Sequence, residues 1–176
     1  MARRVFTRET LRELFDFTTF TWETYGKTVH RLPAGALTRP MPGSDWPALR
    51  NVLFHTATSW DNWLRDRLGY DDPLDATSEA VASWDDLREH REHTRGWLRR
   101  MIDETPDDEL HARVQPMWQG TVAEMTVSVA DILGHILLHE RGHHGDVTTM
   151  LSQLGATPPN IDYLTYVFFK QRRTQR

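Results

Sequence analysis

The sequence predicts an all-α protein, a four-helix bundle with a long connection between its third and fourth helices, on three observations. Four long segments carry apolar residues at three-to-four-residue spacing, their ends bear capping or breaking residues, and the one long stretch without helical period falls between the third and fourth. At 176 residues the chain is read as a single domain spanning 1–176.

Leu11, Leu14, Phe15, Thr18, Trp22, Tyr25 and Val29 mark the first helix, from about Thr7 to Arg31, ended by LPAG. MPGSDWPAL is a loop and a start signal, with Ser44 or Asp45 as N-cap and Pro47 in the first turn. The second helix then runs to Gly69 with Leu49, Leu53, Thr56, Trp60, Trp63 and Leu64 on one side. After the loop YDDPLDATS, the third begins near Ser83 with Asp86 closing a capping box and continues through Trp84, Leu87, Leu98 and Met101 to ETPDDE. HARVQPMWQGTVAEMTV contains Pro116 and a Gln119-Gly120 pair and predicts a hairpin-like excursion. The fourth helix starts at Ser128, capped with Asp131, and stops at Gly155 before Pro158 and Pro159. A short fifth helix from about Ile161 to Phe169 and a frayed KQRRTQR tail complete the chain.

Composition narrows the chemistry. With no cysteine, the chain has neither disulfides nor thiolate ligands, so a metal must be held by His, Asp or Glu. A net charge of -4 argues against nucleic acid as a partner. No apolar run approaches the ~20 residues of a membrane span, and the start MARRVFTRETLRELF lacks the apolar core of a secretory signal, so a cytoplasmic location is expected.

HILLHERGHHGDV holds four of the nine histidines, His135, His139, His143 and His144. Counting along the fourth helix, Val129, Ile132, Ile136, His139, His143, Val147, Met150 and Leu154 form the core stripe, which puts two histidines at consecutive core positions. Residues four apart stand about 5–6 Å from each other at Cβ, close enough for both imidazoles to reach one ion at ~2.0–2.1 Å. The alternative is a pair of hydrogen-bonded core histidines, since buried imidazoles need partners either way. His135 and His144 fall beside the stripe and read as supporting or surface groups. A third ligand must come from another helix; His55, in NVLFHTATSWDNWL, is the candidate, at the edge of its apolar face with small Ala48 and Ser59 beside it. His90 and His93 lie in a charged stretch, and His30 and His111 at segment ends.

HERGH also spells the HExxH of zinc proteases, with Glu140 in the place of the base. No later histidine or glutamate completes a protease site, and no sheet is predicted to hold a peptide, so that reading is set aside. Glu140 points about 100° round the helix from His139, as either a supporting carboxylate or a solvated charge. Arg88, Arg91 and Arg95 share a face of the third helix; a solvated face paired with Glu89 and Glu92 is favoured over a hold on a substrate carboxylate. Trp118 either covers a pocket or anchors the excursion.

DILGHILLHERGHHGDVTTMLSQLGATPP resembles the last bundle helix of the DinB-like superfamily, which includes YfiT-type metal-dependent hydrolases and bacillithiol or mycothiol S-transferases. That helix reads H-x-x-x-H-R-G-Q; His139, His143 and Gly145 match it, while His144 and Asp146 replace the arginine and glutamine. LFHTATSWDNWL resembles the family's second helix, whose histidine corresponds to His55. The resemblance implies a divalent metal on His55, His139 and His143, with zinc or nickel suited to imidazole. It further implies transfer of a low-molecular-weight thiol to an electrophile; the alternatives are a hydrolase using activated water and a non-catalytic metal-binding stress protein. The expected partners are small-molecule substrates and a second copy in a homodimer.

Overall fold

The computed structural model describes residues 5–58, 76–118, 121–122 and 124–175. It is helical, as predicted. Helix α1 spans Arg8–Val29, capped by Thr7 in a reciprocal box with Thr10. α2 spans Leu49–Thr58, α3 Trp84–Glu104, and α4 is the single turn Asp107–Leu110. α5 spans Val129–Gly142, α6 His144–Gln153 and α7 Tyr163–Thr174. The predicted capping boxes of α3 (Ser83 with Asp86) and α5 (Ser128 with Asp131) are both formed. Between α4 and α5, β1 (Arg113–Val114) pairs antiparallel with β4 (Val127–Ser128), and β2 (Met117–Trp118) with β3 (Thr121–Val122), giving the expected hairpin-like excursion.

Three boundaries differ from the sequence reading. α2 begins at Leu49, not after Ser44 or Asp45, because the preceding loop closes on itself: Met41 N–H bonds Pro47 O at 2.9 Å, and Ser44 Oγ accepts Trp46 N–H at 3.2 Å. The stretch 59–69, to which the second helix was extended with Trp60, Trp63 and Leu64, lies outside the described residues. The fourth helix is broken at His143 (φ -87°, ψ 1°), whose N–H reaches Glu140 O three residues back; Val147 N–H to His143 O then resumes the four-residue ladder. Gly142 and Gly145 flank the break, where the residue type of low helix propensity gives the ladder least support. α6 ends in a Schellman motif, with Gly155 at φ 83° and Ala156 N–H bonded to Leu151 O, so its glycine stop was correctly read. Finally, α7 runs to Thr174 rather than fraying after Phe169: Lys170 Nζ bonds Glu13 of α1 at 2.5 Å, and Tyr163 donates to the same carboxyl group.

The helices close a ring: α5 packs on α1, α1 on α3, α3 on α2, α2 on α6, and α6 follows α5 in the chain, with α7 laid on α1. Two apolar clusters fill it. One gathers Leu11, Phe15, Leu98, Ile102, Ile132, Leu133 and Ile136; the other gathers Trp22, Tyr25, Leu49, Leu53, Trp84, Leu87, Val147 and Leu151. On each of α1, α3 and α5–α6, the buried residues between the two clusters are polar, Phe17 of α1 excepted: Thr18 and Thr21, Arg91, Thr94 and Arg95, and Glu140 and His144. This polar belt crosses the middle of the bundle, at the sequence level of the histidine pair. Among the described residues no helix is long and apolar enough to cross a membrane.

Candidate metal centre

His55 stands in the last turns of α2, His139 in the last turn of α5, and His143 at the α5–α6 break. The ring packs these elements together, and the three imidazoles meet. Nε2 of His139 lies 3.2 Å from Nε2 of His55 and 3.4 Å from Nε2 of His143. One ligand atom from each of the three lies within 4.8 Å of the others, and all three side chains are half-buried. Two imidazole nitrogens sharing a tetrahedral ion at ~2.0–2.1 Å would stand about 3.3 Å apart, so the spacing suits a common ion.

Electrostatics favours the same use. Burial, followed by the neighbouring His143 and His139, lowers the pKa of His55 to about 4; burial, followed by His143 and His135, lowers that of His139 as well. Both shifts favour the neutral imidazole, the form that can ligate a metal.

The surroundings were only partly foreseen. Trp46, from the loop before α2, lays its ring 5.1 Å from His55 and 5.4 Å from His143. Its indole Nε1 donates to Asp146 Oδ2 at 3.1 Å, and the same oxygen lies 3.1 Å from His143 Nδ1. His135 stacks on His139 at 5.8 Å without joining the cluster. Trp118's side chain lies outside the described residues, as does Ser59 beside His55.

The buried face of the fourth helix is wider than the predicted stripe, whose Val129, Ile132, Ile136, Val147 and Met150 are buried as expected. Leu133, Leu137, Glu140, His144, Val147 and Leu151 are buried at spacings of four and three, whereas His139 and His143 are half-buried on the flank. Glu140 is thus not a solvated charge: its carboxylate accepts from Arg91 Nη2 at 2.8 Å, with both side chains almost wholly buried. His144 is likewise no surface group. Its Nδ1 accepts from Arg141, its ring meets Tyr25 edge-on at 5.5 Å, and burial, then the Arg141 and Arg91 cations, push its pKa down to about 3. The predicted arginine face also divides. Arg88 is exposed beside Asp85 and Glu92, but Arg91 and Arg95 point inward, Arg95 bonding Thr18 Oγ1 and Phe15 O. Their signal was present in the sequence, since Trp84, Leu87, Arg91, Arg95, Leu98 and Ile102 keep helical spacing.

The family model of the DinB family matches residues 4–174. Among solved structures, the chain is similar to a DinB-like protein from Bacillus cereus ATCC 10987, at 18% identity and a TM-score of 0.57, over 84% of this chain and 94% of the other. None of the curated proteins matches the sequence.

Proposed function

The chain belongs to the DinB family, and on that premise we propose that it binds one divalent ion, zinc or nickel, through His55, His139 and His143 and transfers a low-molecular-weight thiol to an electrophile there. One observation carries the metal part: Nε2 of His139 faces two other Nε2 atoms within 3.4 Å. A single imidazole proton can serve one such contact, whereas one ion serves all three. Three neutral imidazoles also leave the ion its full charge and at least one open position, the donor set of a reactive rather than a closed site.

His55, His139 and His143 would hold the ion, which would supply Lewis acidity that makes a thiol or water nucleophilic near neutral pH. The protein's own residues define the rest. With no cysteine in the chain, the thiol arrives as a substrate. The half-buried imidazoles leave the site accessible from the flank of the bundle, and Trp46 walls one side. Glu140, engaged with Arg91 in the core, does not serve as the base, and the thiol proton passes to solvent. The reaction forms a sulfur–carbon bond as the bond from that carbon to its leaving group breaks. The preference for thiol over water rests on family membership.

The test is protein purified without a metal-affinity tag, stripped, and reloaded with zinc or nickel. Transfer of bacillithiol, mycothiol or glutathione to an aromatic electrophile, at equal thiolate concentration, should vanish on stripping and return on reloading. Background rates with all three thiols, beside metal-dependent ester cleavage, would replace the transferase reading with a hydrolase. Background rates in both assays would leave a non-catalytic metal protein.

A further inference from the structure

The three ligands do not account for Asp146, whose Oδ2 lies 3.1 Å from both His143 Nδ1 and Trp46 Nε1. A carboxylate only accepts hydrogen bonds, and an indole nitrogen only donates. His143 therefore donates from Nδ1, and in the neutral ring this leaves the Nε2 lone pair facing Nε2 of His139 at 3.4 Å. The same oxygen receives the indole that comes from a different part of the chain, the loop closed by Met41 and Pro47. That indole lies against two of the three imidazoles.

We propose that Asp146 is the positioning residue of this centre: it fixes the tautomer and ring orientation of His143 for the ion and hangs Trp46 across the site, so that ligand and wall form as one unit. The proposal rests on the metal reading above. Its physical basis is that a histidine whose far nitrogen donates to a carboxylate is both a better donor to metal and a less mobile one. The position is also suited to the task. Asp146 sits three residues after His143, on the adjoining face of α6, and its carboxylate is partly open to solvent, so it avoids the desolvation cost of a buried charge.

Zinc affinity of the stripped protein, measured by competition with a chromophoric chelator, tests the assignment. Asp146→Ala should bind about 10–100-fold more weakly than wild type. Asp146→Asn, whose amide oxygen still accepts one N–H, should fall between them. Nitrogen NMR of the metal-free protein supplies a readout that mere loss of stability would not move: His143 should be the Nδ1–H tautomer in wild type and a mixture in Asp146→Ala. Equal zinc affinity in wild type and a folded Asp146→Ala variant, with the tautomer unchanged, would overturn the proposal. A wild-type chain that takes up no zinc, while His143 still shows the Nδ1–H tautomer, would sink the metal reading and the proposal with it.

Discussion

Glu140 immediately follows a metal-ligand candidate, yet its carboxylate turns away into the core. Arg91 reaches it from α3 while also bonding Thr18 O on α1 and lying 4.3 Å over the ring of Trp22. Removing one partner of such a pair leaves a buried charge uncompensated, so Arg91→Ala should destabilise the protein by about 3–5 kcal/mol in urea unfolding. Replacing both, as Arg91→Met with Glu140→Leu, should recover much of that loss, and a double variant no more stable than Arg91→Ala would refute the pairing argument. The ligand candidates behave differently. His139→Ala removes a half-buried ring from the flank, so its main effect should fall on zinc affinity rather than on metal-free stability. The three histidines were legible because a fixed spacing on one helix and one histidine in an apolar segment suffice to nominate them. Asp146 and Trp46 were not nominated for their roles, because their bond joins positions 100 residues apart and no local pattern encodes it.

Elements were most legible where their ends carry local chemistry. The box at the start of α3 is an example: Asp86 accepts the N–H groups of Ala82 and Ser83 at 2.9 and 2.8 Å, and Ser83 Oγ accepts Asp86 N–H. Those backbone bonds, followed by the Ser83 hydroxyl, lower the Asp86 pKa. A carboxyl group with a lower pKa folded than unfolded contributes stability that is complete above the ordinary aspartate value of about 4 and is lost as pH falls through the folded value. Asp86→Asn should therefore lower stability at neutral pH and flatten the acid limb of stability against pH; an acid limb as steep as that of wild type would contradict the assignment. Ser83→Ala should cost about 1 kcal/mol through the same cap. The break at His143 was not legible. The apolar spacing continues across it unchanged, and what differs is one backbone hydrogen bond spanning three residues instead of four.

At the scale of the molecule, the site joins α2 to the α5–α6 break, two parts of the chain more than 80 residues apart. An ion bound there cross-links the ring of helices and favours the folded state by mass action. At free zinc 100-fold above its dissociation constant the gain is about 2.7 kcal/mol. For a chain of this length that is a rise of roughly 5–11 °C in Tm, growing with zinc concentration and absent in His139→Ala. A zinc-independent Tm in the wild type would count against the site. The sequence defined the helical class through its apolar periods, but not the polar belt: Arg91 and Arg95 keep the spacing of their apolar neighbours, yet what holds such charges in a core is partners on other helices, which no local pattern names. Where α1 meets α3, Trp22 and Trp84 stack with ring centroids 4.6 Å apart and planes tilted by 32°, and a Cβ on Gly26 would come within 2.7 Å of the Trp84 indole. Two indoles so close share their electronic excitation. Their transitions should split into a signed couplet in ultraviolet circular dichroism, absent from Trp84→Phe. This provides an optical signal for the docking of α1 on α3 that can be followed during folding separately from the histidine cluster.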